Sequence, residues 1–377
     1  MTMVRSLQSL IRARGTAARA TLGPIGLDLA QDRLNLAQFS SSAAGPEVQA
    51  AASLAYPVDR DTLLASPPRL KAFLRDAWHT HGFKGRKVVS CLRPEELRIL
   101  LVNYTAPDGS DDAQAIAAEL RERLRGELAT SIIDYLPIRN EDGDPTRRDA
   151  LVVVAPRDSV VRHLDLLNGA GLEVTSLDVG PAALARLASF VNAATGRDTH
   201  PNVLLINFGQ LQSHLSVVWG RRLILDRTID FGERALVERL SRVLDMGEAL
   251  ALQLLQRTGF AAPGAARSDD EDLARTLAEV LRPEFSALVA EINKTLVYTA
   301  SRSRGRSIDQ IYLLGSVGRY PGVDFLMQQL LELPVAVMNP FASFRSLLTP
   351  ANQEQLKPIA GIALACGLSL RGLQDRA

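Results

Sequence analysis

The chain has 377 residues, of which 46% are hydrophobic and 23% charged, with a formal net charge of +1. That balance excludes a disordered or collagen-like chain, and its evenly spread basic residues leave no nucleic-acid footprint. Two cysteines exclude a disulfide framework, and the length suits two domains or one large bilobed one.

Residues 1–21 form a basic arm, with Arg5, Arg12, Arg14 and Arg19 around Leu7, Leu10 and Ile11. They lack the long apolar centre and cleavage site of a secretory signal. A solvated chain end is the expectation, with a short basic amphipathic arm at a membrane surface as the alternative. No apolar run approaches the roughly 18 residues that a spanning helix needs, so a cytoplasmic location is expected.

The stretch "PIGLDLAQDRLNLAQF" (24–39) reads as a strand ending in Asp28, a polar turn and a returning strand. A small-residue segment then leads to a helix over 70–79. "KVVSCL" is a short buried strand, and "ELRILLVNY" alternates as a half-buried one. Ile116, Leu120, Leu124 and Leu128 keep helical spacing over 111–128, with Asp111 and Asp112 at the N-terminal end. "DALVVVAPRDSVVRHLDLLNGAGLEVTSLDV" reads strand, helix, strand, with Asp158 or Ser159 as N-cap and Gly169-Ala170-Gly171 as the stop. A further helix follows, with Pro181 in its first turn.

At 202–232 the opening theme returns as strand, polar turn and strand, with a third strand after Gly220-Arg221. Aligning Asp28 with Asn207 sets Ala30 against Gly209, Gln31 against Gln210 and Leu36 against Leu215. A largely helical insert runs from here to Gly259, and helical spacing resumes after a loose linker over 261–272. A last strand, "IDQIYLLGSVG", precedes a turn and helix, and a helix rich in small residues covers 358–371. Two halves that each open on the same hairpin predict a duplicated fold. Its form is two α/β lobes, each with a mainly five-stranded sheet. His79 and His81 have no carboxylate or thiol cluster at ligand spacing and read as a solvated helix end. Neither a Walker-type phosphate loop nor a nucleophile elbow is present.

Four stretches carry a resemblance: "IGLDLAQDRLNLAQF", "VLLINFGQLQSHLSVVWGRRLILDRTIDFGERAL", the region from "AEINKTLVYTASRS" through "YLLGSVGRYPG" to "NPF", and "IAGIALACGLSLRGL". In this order and spacing they resemble the actin-like ATPase superfamily, and within it the FtsA-like PilM family of type IV pilus assembly. The resemblance implies an actin-like (ribonuclease H-like) two-lobe fold with an inserted α/β subdomain. Its boundaries would be 22–198 for the first lobe with the insert at about 92–174. The second lobe would span 199–350 with a helical insert at about 233–307, and 351–377 would return to the first lobe.

The resemblance also implies a site for ATP and Mg²⁺ between the lobes. In that family the turns bring backbone N–H groups to the phosphates, which favours glycine and small hydroxyls. Here Asp28 is retained, but Ala30 stands for the family's Gly, Gln31 for its Ser or Thr and Asn35 for its Lys. Asn207 stands for the second acid, Gly209 remains, and Gln210 replaces a small residue. Arg33 offers a substitute charge, whereas Asp32 would repel phosphate. A bound nucleotide would meet Asp28, Asn207, Gly209, Glu233, Gly315, Ser316 and Gly318. Asp28 and Asn207 would hold Mg²⁺ through waters, and Glu233 would reach the ribose. The changes point to weak or absent nucleotide binding and to no catalytic residue.

As partner, the resemblance implies the cytoplasmic N-terminal peptide of a PilN-like membrane protein, with peripheral attachment to the inner membrane through it. Self-assembly is a second implication. The alternatives are an active actin-like ATPase and a component of a type II secretion platform.

Overall fold

A computed structural model describes residues 21–42, 45–106, 111–124, 126–138, 146–193, 200–260, 268–302, 306–356 and 361–374. Residues 1–20 of the basic arm, 261–267 of the expected linker and the expected start of the final helix at 358 lie outside them, whereas Thr21 already belongs to a strand and 268–272 to a helix.

The first lobe opens with β1 (Thr21–Leu29), β2 (Arg33–Ser42) and β3 (Gly45–Ala55), an antiparallel meander. Helices α1 (Arg60–Leu64) and α2 (Pro67–His81) lead to β4 (Lys87–Cys91), parallel to β1. The chain then leaves the lobe for β5 (Arg98–Thr105), α3 (Asp112–Leu124), β6 (Ser131–Ile138), β7 (Arg147–Pro156) and α4 (Arg157–Gly169). It returns through β8 (Glu173–Asp178), parallel to β4, and α5 (Gly180–Ala193).

The second lobe repeats the plan with the antiparallel strands β9 (Val203–Phe208), β10 (Ser213–Trp219) and β11 (Arg222–Ile229). Three helices follow: α6 (Glu233–Val243), α7 (Glu248–Arg257) and α8 (Ser268–Arg302). Then come β12 (Gln310–Gly315), parallel to β9, α9 (Val323–Leu331) and β13 (Val335–Val337). The chain ends with β14 (Arg345–Ser346), α10 (Pro350–Leu356) and α11 (Ile362–Gln374).

The duplication is explicit in the strand order. The second sheet runs β11-β10-β9-β12-β13, and the first runs β3-β2-β1-β4-β8 with β14 added outside β3. The first sheet is therefore six-stranded among the described residues, not mainly five-stranded. The small-residue segment after the first hairpin is itself the strand β3. Its alternation is invisible because both faces are covered. Ala50 and Ala52 join the core under α2, while Val48 and Ala51 join the core shared with α11.

Smaller differences have local causes. Helix α4 takes its N-cap from Pro156 rather than Asp158 or Ser159, a position where proline's missing N–H breaks no helical bond. Helix α3 stops at Leu124, and Leu128 lies in a separate 3₁₀ turn beyond Gly126, whose φ is +81°.

The insert's sheet runs β5-β7-β6 and carries its own core of Val102, Tyr104, Ile116, Leu120, Leu124, Val152 and Val154 beneath α3. The two lobes share a different core, built around α5 and α11. It joins Phe39 and Ala37 of the first sheet to Val203, Leu205 and Leu314 of the second. Close approach sets this packing. A methyl added at Gly26 would lie 1.9 Å from the Ala365 carbonyl oxygen, and one at Gly367 would lie 2.1 Å from that of Ala183. Ser369 on α11 donates to the Pro24 carbonyl at 2.7 Å and accepts from the Phe39 N–H at 3.2 Å. Asp178, at the end of β8, accepts from Arg186 of α5 at 2.8 Å and pairs with Arg371 of α11 at 3.0 Å.

Gly26→Ala should therefore destabilise the protein by about 2–3 kcal/mol in urea unfolding, because helix backbone rather than a flexible side chain opposes the methyl. Gly247→Ala, where nothing lies within 4 Å, is the control and should leave the midpoint nearly unchanged.

Candidate functional site

The strands that open each lobe end at one cleft of about 670 Å³. The first lobe lines it with Asp28 to Arg33 and Asn35, and with Cys91 to Glu95, where the chain departs for the insert. The second lobe lines it with Asn207 to Gln212, His214, Asp230, Gly315, Ser316 and Arg319. Leu184 of α5, Gly361 and Leu364 of α11 complete the lining. The cleft thus inherits its geometry from the helix pair that joins the lobes.

The first turn is held from behind. Its Ala30 carbonyl accepts from Tyr56 Oη at 2.9 Å and from Arg60 Nε at 3.2 Å, and Arg60 Nη2 reaches the Leu29 carbonyl at 3.3 Å. Asn35 is a relay. Its Nδ2 donates to Asp28 Oδ2 at 2.9 Å while its Oδ1 accepts from Ser53 Oγ at 2.6 Å. Burial pushes the Asp28 carboxyl up to about 6, and the Asn35 hydrogen bond and Arg60 only partly oppose that rise.

The second turn is closed on itself. The Gly209 N–H donates to the Gln212 carbonyl at 3.1 Å, so this amide is committed within the turn. The first amides of α6, from Glu233 and Arg234, donate to the Gly209 and Gln210 carbonyls at 3.0 and 2.9 Å. Gly315 has φ +78°, and a methyl there would lie 2.1 Å from the Phe208 carbonyl oxygen and 2.8 Å from Asn207 Oδ1. Only glycine fits that crossing point. Ser316 Oγ donates back to the Phe208 and Gly209 carbonyls at 3.3 and 3.2 Å. Leu211, 63% exposed, projects from the tip of the turn.

Of the sequence-predicted residues, Asp28, Ala30, Gln31, Asn35, Asn207, Gly209, Gln210, Gly315 and Ser316 all line the cleft. Glu233 and Gly318 do not. Glu233 is only 5% exposed, and its Oε1 accepts from Tyr320 Oη at 2.7 Å and Arg319 Nη2 at 3.1 Å. The Tyr320 phenol is raised by burial first and then by the Glu233 charge, which keeps it a donor. Gly318 is buried inside the 3₁₀ turn Val317–Arg319.

Sequence reading missed Tyr56, Arg60, His214 and Arg319. His214 faces Asn207 across the β9–β10 register. Its Nδ1 lies 3.4 Å from buried Asp226, which also accepts from Ser216 at 2.6 Å. Only the position of Arg319, directly after Gly318, was a usable signal. Among the described residues no group of three or more His, Cys, Asp or Glu could hold a metal ion, and no helix is long and apolar enough to cross a membrane.

The raised Asp28 has a measurable consequence. The folded protein binds this proton more tightly than the unfolded chain, so its contribution to stability is greatest below pH 3.8 and is lost as pH rises to about 6. Asp28→Asn should therefore be more stable than the parent by about 1–3 kcal/mol at pH 7.5, with the gap closing toward pH 4 in paired urea titrations.

The family model described as "Type IV pilus assembly protein PilM" matches residues 26–373. Among solved structures, the fold is similar to a PilM-PilN type IV pilus biogenesis complex, with TM-score 0.73 and 20% identity over 94% of this chain and 98% of that one. It is also similar to the ethanolamine utilization protein EutJ of Carboxydothermus hydrogenoformans, with TM-score 0.52 and 13% identity over 95% of this chain and 93% of that one. With the duplicated sheets and the inserted subdomain, the match over nearly the whole length makes this chain a member of the PilM family of type IV pilus assembly proteins, with an actin-like α/β fold.

Proposed function

We propose that the protein is a cytoplasmic scaffold that binds the N-terminal peptide of a PilN-like inner-membrane protein and is tethered to the membrane through it. The family match over 26–373 is the observation that carries this reading. The insert supports it by offering two sheet edges, β5 and β6, on which an extended peptide gains main-chain hydrogen bonds. The apolar surplus divides unevenly between its strands. Leu151, Val152, Val153 and Val154 of β7 are buried, whereas Ile99, Leu100 and Leu101 stay half-buried on the edge strand β5. These half-buried side chains support a groove between the first lobe and the insert on the β5 side.

The same reading makes the nucleotide cleft degenerate. A tightly held Mg²⁺ needs carboxylate oxygens alongside phosphates and water. At the two positions where the family carries acids, the chain presents a carboxylate raised to about 6, Asp28, and a neutral amide, Asn207. The Gly209 N–H is used inside its own turn. These donors do not fit a tightly bound Mg-ATP.

Two measurements test the reading. A peptide from the N-terminus of the membrane protein encoded beside this chain should bind with micromolar affinity, since ordering a free peptide costs about 2–5 kcal/mol. Binding should disappear on deletion of 92–174 and weaken at least tenfold, about 1.4 kcal/mol, in Leu101→Asp. Undiminished binding by both variants would move the groove elsewhere. In calorimetry the unaltered chain should show weak or undetectable Mg-ATP binding, and Ala30→Gly, Gln31→Ser and Asn207→Asp together should strengthen it by about tenfold or more. Steady ATP turnover by the unaltered chain would refute the degenerate cleft.

A further inference from the structure

An ion pair crosses the cleft at its phosphate-facing turns. Arg319, at the end of the turn after β12, sends Nη1 to 3.5 Å from Asp32 Oδ2, on the first lobe's hairpin turn. The rest of the guanidinium is fixed by its own lobe. Its Nε donates to the Ser316 carbonyl at 3.0 Å, and its Nη2 donates to Glu233 Oε1 at 3.1 Å. Glu233 is held in turn by the Tyr320 hydroxyl at 2.7 Å. On the other side, Arg33 Nε lies 3.5 Å from the same Asp32 oxygen. The Asp32 carboxylate therefore sits between two guanidiniums, one from each lobe. The Arg319 side chain is only 18% exposed, so it is oriented before any ligand arrives, whereas Asp32 is 49% exposed.

We propose that Asp32 is a built-in substitute for a ligand phosphate: through Arg319 it clamps the two turns together without a nucleotide, and it makes the cleft refuse polyphosphates. A guanidinium fixed by a carbonyl and by a buried carboxylate that a phenol holds in place is a receptor for a further oxyanion, and the chain supplies that oxyanion itself. An incoming polyphosphate must displace Asp32 and then sit beside its negative charge. Removing the carboxylate leaves a pre-oriented cation facing the cleft. The inference rests on the reading of the cleft as degenerate, and it assigns the refusal to a particular side chain.

The test uses the full chain, with Asp32→Ser, Asp32→Asn and Arg319→Gln. In nucleotide-free buffer, amide hydrogen exchange over 30–33 and 209–212 should quicken by about fivefold in all three variants, as befits loss of one half-exposed ion pair. High salt should quicken the parent and not the variants, since it screens the pair that the variants lack. In calorimetry, inorganic tripolyphosphate and Mg-ADP should bind at least about tenfold tighter to Asp32→Ser and Asp32→Asn than to the parent, and no tighter to Arg319→Gln. Unchanged exchange in both the Asp32 and the Arg319 variants overturns the clamp, whatever the outcome for peptide binding. An absence of gained affinity in both Asp32 variants overturns the refusal while leaving the scaffold reading standing. Tight Mg-ADP binding by the parent overturns the degenerate cleft itself.

Discussion

The structure depends on how closely α11 can lie against β1 and α5. Gly26 and Gly367 stand at the two contacts where a methyl would overlap backbone oxygen, and Ser369 and Asp178 stitch the same helices to the strands and to each other. Because this pair fills the space between the sheets, it sets how far apart the two hairpin turns stand and supplies the apolar lining at Leu184 and Leu364. Every distance across the cleft follows from that packing. Interiors are too densely filled for one sheet to shift against the other without moving both helices.

Within the cleft, the carbonyls of the two turns and the Asp28 carboxyl are satisfied by the chain itself. Tyr56 and Arg60 cap the first turn, α6 and Ser316 cap the second, and Asn35 ties Asp28 to β3. A site built to receive a charged ligand leaves donors unmatched until the ligand arrives, which is unfavourable in a water-poor cleft. Here the matching of the turn carbonyls and of Asp28 is internal, in keeping with the proposed clamp between the lobes. A rigid platform that presents one face to a partner benefits from that internal matching.

The insert has a different relation to the rest. Its sheet and α3 close over a separate apolar core, and α4 joins it to the first lobe. There His163 lies 3.1 Å from Ser90, whose hydroxyl donates to the Leu27 carbonyl at 2.9 Å. Burial lowers the His163 imidazole, which favours its neutral form at this junction. The segment Leu92 to Glu95 both lines the cleft and begins the passage into β5. The cleft and the proposed partner surface therefore share a stretch of backbone.

The amino-acid sequence by itself determined the duplicated hairpins and the order of the crossover elements, and its resemblance to a family supplied the nine residues that line the cleft. Strand and helix periods are local, and a turn at the end of a strand carries its residues wherever the strand goes. Tertiary structure alone decided that the alanine-rich stretch after β2 is a strand, since burial on both faces erases the alternation that would reveal it. It also decided that Glu233 turns inward to Arg319 and Tyr320, and that Arg319 reaches Asp32 on the other lobe. The first pairing forms inside the second lobe and the second across the cleft; both join residues far apart in the chain, and no local period encodes them.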